Sequence, residues 1–136
     1  MILRVIIGVV ISLFMVGCFS SSVSSDIAQA ENEVNIYHVR LNTMDFEKIY
    51  STLDDDVKKK ITEKDFVEYL SKFKKSFGKY NNGKIINETT IDGIIGGRKI
   101  VILNYSWYEK GEIKEEFTFK KLDDRKLVVI NYKYGT

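Results

Sequence analysis

The chain predicts an α+β domain, with about three amino-terminal helices packed on a curved antiparallel sheet of about four strands. Three observations predict it. Apolar residues between positions 27 and 77 recur at helical spacing. From Gly83 the apolar period changes to two. Turn residues then punctuate the alternating runs at short intervals, so helices come first and an antiparallel meander follows.

In the first helix Ile27, Ala30, Val34, Tyr37 and Leu41 step by three and four. A break at Asn42-Thr43 separates it from a second helix carrying Phe46, Ile49, Tyr50, Leu53 and Val57. The third has the cleanest stripe: Phe66, Leu70, Phe73 and Phe77. Thr62 is its expected cap, with Asp65 three residues on. Gly78, after Lys74 and Lys75, is its stop. Ile85 to Ile91 is the first expected strand, and Gly96-Gly97 a turn. Lys99 to Tyr108 is apolar on both faces, with Ile100 and Ile102 on one side and Val101, Leu103, Tyr105 and Trp107 on the other. Such a strand should be central. Glu109 to Glu112 reads as a hairpin turn. Ile113, Phe117 and Phe119 then alternate with Lys114, Glu116, Thr118 and Lys120, a strand wet on one face. Asp123-Asp124 turns the chain, and Leu127 to Tyr134 closes the sheet.

Composition bounds the function. The 136 residues suit one domain, and 44% hydrophobic against 29% charged residues describes a globular chain. The net charge of +2 comes from interleaved acids and bases, which gives no basic face for nucleic acid. A single cysteine excludes an internal disulfide, and the absence of proline suits unbroken elements.

Residues 1–17 have the layout of a secretory signal: Arg4, an apolar run from Val5 to Val16, then Gly17 before Cys18. Met15-Val16-Gly17-Cys18 resembles the lipobox of bacterial lipoproteins, with Met where Leu is usual. The resemblance implies cleavage before Cys18 and a diacylglyceryl thioether on it, with acylation of the new amino group. Each buried methylene contributes roughly 0.8 kcal/mol, so two or three chains hold firmly. Two alternatives stay open. The leader could persist as an anchor, although its apolar run is short for a span; or cleavage could follow Ala28-Gln29-Ala30. Residues 18–26, with the Ser-rich run from Phe19 to Ser25, read as a flexible tether, and 27–136 as the domain. Phe19, not Asp, follows the cysteine; in a Gram-negative host this favours the periplasmic face of the outer membrane over the inner membrane.

A second resemblance covers roughly residues 27–134. Asp45-Phe46-Glu47-Lys48-Ile49-Tyr50 opens one helix. Thr62 to Leu70 opens the next, which ends in Phe77-Gly78-Lys79, and strands follow. The order resembles small envelope domains of the nuclear transport factor 2-like superfamily; the cystatin-like layout is close to it. The resemblance implies a cone-shaped cavity between sheet and helices, which enzymes of the group equip with an Asp–His pair or a tyrosine.

No catalytic set stands out. His38, one residue past Tyr37, is expected as a partly exposed helix histidine. Asp54-Asp55-Asp56 lacks the alternating ligands, glycine and distal Glu of a calcium loop, so no metal is expected. Glu115 and Glu116 cannot share a face of a strand. The glycines fit no phosphate or dinucleotide motif, and no cofactor is expected. Tyr105 with Trp107, and Tyr132 with Tyr134, are the candidate pocket or interface residues, if they are not core. Lys58 to Lys60 and Lys74-Lys75 are expected on solvated faces or against anionic headgroups. The expected function is therefore a non-enzymatic, lipid-anchored envelope domain that binds a protein partner or supports an envelope assembly. A small-ligand module using the cone is the alternative.

Overall fold

The computed structural model describes residues 21–93, 97–123 and 126–136. Among the described residues four helices precede four strands: α1 (Ser21–Asn42), α2 (Phe46–Ser51), α3 (Asp55–Lys58), α4 (Glu63–Phe77), β1 (Tyr80–Asp92), β2 (Arg98–Tyr108), β3 (Gly111–Lys121) and β4 (Leu127–Gly135). The strands form one open antiparallel sheet in the order β1-β2-β3-β4. The α+β layout read from the sequence holds, and the doubly apolar strand β2 is internal. Among the described residues no helix is long and apolar enough to cross a membrane.

Local signals explain most boundaries. The Thr62 hydroxyl accepts from the Asp65 amide and starts α4. Gly78 ends it at φ 75°, a conformation that a side chain would strain. Lys74 donates to the carbonyls of Leu41 (3.2 Å) and Asn42 (2.6 Å), satisfying the carboxyl end of α1. Glu109-Lys110 makes the expected hairpin, with Tyr108 opposite Gly111.

Three boundaries differ from the sequence reading. The Ser-rich segment is helical from Ser21, and Asp26, assigned to the tether, is buried. Serine is a tolerable helix former, and the Asp26 carboxylate is held by Arg98 (2.9 Å) and Lys121 (3.1 Å). The single helix expected over 46–57 is broken into α2 and α3. Leu53 bridges Val129, with Asp54 N–H donating to the Val129 carbonyl and Val129 N–H to that of Thr52. Strand β1 begins at Tyr80, before Asn82-Gly83, because irregularities in its register at 80–82 and 85–87 absorb residues that resemble a turn. The Gly96 half of the expected Gly96-Gly97 turn, and Asp124, lie outside the described residues.

The first helix lies along the inner face of the sheet and runs in the same direction as β2. Its start meets Arg98 and Lys121, and its end exchanges hydrogen bonds between Asn42 and Tyr80. The buried residues Asp26, Ala30, Val34, His38 and Leu41 mark its seated face. The apolar core has two parts. Ala30, Val34, Ile100, Ile102, Phe117, Phe119 and Leu127 form one, and Leu41, Phe46, Ile49, Leu70, Phe73, Tyr108 and Ile113 the other.

Candidate functional site

A polar group sits between the two apolar clusters. Position 115 shares its strand parity with Ile113 and Phe117, so the Glu115 carboxylate points inward and is wholly buried, at 0% exposure. Asn104 and Ser106 share the parity of Ile102 and Tyr108 on β2. His38 stands four residues after Val34 and three before Leu41 on α1. At 2% exposure it corrects the expectation of a partly exposed histidine. Helical geometry puts both positions 37 and 38 near the sheet, and the polar partner draws the imidazole in.

Donors surround the carboxylate. His38 Nε2–H donates to Oε1 at 2.8 Å. The Ser106 hydroxyl donates to the same oxygen and itself accepts from Asn104 Nδ2 at 2.7 Å. The Tyr108 hydroxyl lies 3.2 Å from both oxygens, and that of Tyr132 donates to Oε2 at 2.6 Å. The Tyr80 ring stacks on His38, centroids 3.7 Å apart and planes 8° apart. Gly83 makes this possible: a Cβ there would collide with the Tyr80 hydroxyl and the Asn104 amide. Among the described residues His38 Nδ1 has no hydrogen-bond partner, and the Tyr37 hydroxyl approaches Tyr132 without a well-aligned bond.

Charge is retained in this core. Burial pushes the Glu115 carboxyl upward. The hydrogen bond and Coulombic attraction of His38, with the hydroxyls of Ser106 and Tyr132, outweigh burial and hold it below the usual carboxylate range. Burial, then the Glu115 charge and neighbouring phenols, push Tyr108 and Tyr132 well above the ordinary phenol value, so both remain neutral donors. The pH dependence follows. A carboxyl depressed in the fold stabilises it above the unfolded value of about 4.3, and that stability is lost as pH falls toward the folded value. In thermal unfolding scans from neutral pH downward, the native protein is expected to lose stability below about pH 4.3. Glu115→Gln should start less stable and lack this component of the acid slope. An unchanged slope in the variant would refute the assignment.

The protein's own donors meet the charge of the carboxylate. Both carboxylate oxygens already accept protein donors, and the histidine is sealed beneath Tyr80. A general base needs a lone pair within reach of a reactant. Among the described residues no three His, Cys, Asp or Glu side chains converge as metal ligands.

Beside this network an apolar cleft opens between helices and sheet. Tyr37, Leu53, Phe66, Tyr69, Phe119 and Tyr132 are among its walls, with Glu33 and Arg40 at its edge. Its cavity volume is about 50 Å³.

The structure separates the predicted aromatic quartet. Tyr132 and Tyr134 lie on the inner face: Tyr132 against Phe117 and Tyr37, Tyr134 half-exposed against Phe73 and Phe77. Tyr105 and Trp107 lie on the outer face, ring centroids 4.8 Å apart, in line with Val101 and Leu103. Glu115 and Glu116 point to opposite faces, as alternation requires, and Glu116 pairs outside with Lys133 at 3.3 Å. Cys18 lies outside the described residues. Sequence reasoning missed Glu115, Ser106, Asn104 and Tyr108. The signal was present: polar residues occupy inward parity within runs whose other inward members are apolar. The chain matches no protein-family model, and no curated protein is significantly similar to it in sequence.

Proposed function

We propose that this chain is a lipid-anchored, non-enzymatic protein of the bacterial cell envelope that presents its domain to a protein partner at the membrane surface. The observation that carries the reading is the amino-terminal layout, an apolar run followed by Met15-Val16-Gly17-Cys18. The saturated Glu115 network supports the non-enzymatic part, because its buried acid–base pair has no access to a reactant. Helices followed by an open meander support kinship with nuclear transport factor 2-like or cystatin-like domains. A protein partner is favoured over a small ligand on two grounds. A void of about 50 Å³ is far below the roughly 300–1,000 Å³ of ligand pockets. The outer face meanwhile offers a half-exposed stripe of Val101, Leu103, Tyr105 and Trp107, of the aromatic and apolar kind that interfaces use.

Growth of a bacterial host expressing the chain with labelled palmitate tests the anchor. The native protein should take up label and remain with membranes. Cys18→Ala should take up none and keep its leader. Label persisting in the variant, or absent from the native protein, would defeat the reading.

A further inference from the structure

We propose that the end of the domain carrying Lys60, Lys99 and Lys120 lies against an anionic phospholipid surface; this rests on the anchor at Cys18. The length of chain sets the distance. Ser21, where the described part of α1 begins, stands three residues after Cys18, a reach of at most about 10 Å. Five residues farther along that helix, Asp26 is fixed by Arg98 and Lys121 to the start of β2 and the end of β3. The lipid therefore emerges at this end of the sheet. The Tyr108 end of β2 lies about 33 Å farther away, at ~3.3 Å per residue.

Charge at the anchor end fits a headgroup layer. Lys99 stands directly opposite Lys120 in the β2–β3 ladder, a like-charge pairing that opposes sheet formation. Lys60 joins them along a surface groove that also carries Asp54 and Asp56, and Asp56 is engaged by Lys59 at 3.2 Å. Lys60, Lys99 and Lys120 make no ion pair among the described residues, whereas Arg98 and Lys121 are neutralised by Asp26 and Asp92. At the far end Lys74 and Lys110 are held by the backbone carbonyls of Leu41, Asn42 and Lys75. Phosphate headgroups would supply the counter-charge that the fold withholds from the Lys99–Lys120 pair, and their attraction would set the domain's orientation.

The test uses the acylated full-length protein in vesicles of phosphatidylcholine, alone or with about one third phosphatidylglycerol. Amine acetylation is read residue by residue by mass spectrometry. With phosphatidylglycerol, labelling of Lys60, Lys99 and Lys120 should fall about threefold or more, and labelling of Lys75 and Lys110 should not. Salt near 1 M, where screening acts within about 3 Å, should restore it. Lys120→Glu replaces the repulsion with a cross-strand attraction, so the fold should persist while protection of Lys60 and Lys99 weakens. Equal labelling in both vesicles, on material whose intact mass shows lipid on Cys18, would overturn the orientation alone. Material with no lipid on Cys18 would overturn the anchor and the orientation together.

Discussion

Replacing Glu115 by alanine is expected to cost about 3–5 kcal/mol, because several buried donors lose their acceptor at about 1–3 kcal/mol each. A domain of this size is stable by roughly 5–15 kcal/mol, so the variant should stand near its unfolding threshold. The loss has two sources. His38 loses its acceptor, and the hydroxyls of Ser106, Tyr108 and Tyr132 lose theirs. Glu115→Gln, which retains one acceptor oxygen, should cost less. Urea denaturation followed by circular dichroism measures both, and a double-mutant cycle with His38→Ala isolates the pair. The double variant should be more stable than the two single losses predict, since removing one partner already destroys the interaction. A loss below about 1 kcal/mol for Glu115→Ala would show that the network contributes little more than an ordinary hydrogen bond.

The second large effect is expected at Phe117. Its ring is 2% exposed and adjoins Tyr37 at 5.1 Å, Tyr132 at 5.0 Å and His38 at 5.9 Å between centroids. It is the apolar side chain next to the carboxylate on β3, and it separates the polar group from Phe119 and the lower core. Phe117→Ala should cost about 3–5 kcal/mol through lost transfer energy and the cavity left behind. The cavity would also open the cleft wall, since Phe117 lines it. Phe117→Leu, which restores most of the volume, should recover much of the loss in the same urea titration. If leucine proved as harmful as alanine, ring contacts rather than volume would dominate.

Both positions show how far the sequence is legible. Phe117 was readable, because alternation with Lys114, Glu116, Thr118 and Lys120 declares its face. Glu115 was readable by the same rule. A charge at inward parity is expensive unless partnered, and the partners come from α1, β2 and β4, up to 77 residues away. Periodicity locates a face but does not show which distant residues meet on it. The same reason hid the fate of Asp26, whose cations lie 72 and 95 residues on. It also hid the break between α2 and α3, where pairing with β4 overrode an uninterrupted helical pattern. The cap at Thr62 and the stop at Gly78 were legible because their causes are local.

Glu115 also explains how the strands find one alignment. Lys114 and Glu116 flank it, so β3 shifted by one residue would bury charges facing apolar walls and place Ile113, Phe117 and Phe119 in water. The single inward carboxylate meets matching donors only in the observed register, which is consistent with a specifying role for a buried polar group.

The lengthwise seating of α1 has a mechanical consequence. A pull applied at Ser21 acts along the axis of a helix lying parallel to β2, so it loads the interface in shear. Five docked side chains, from Asp26 to Leu41, share that load and must yield together. A helix crossing the strands at right angles would peel away one contact after another. A domain built in this way would resist a pull at its amino-terminal end and keep its shape.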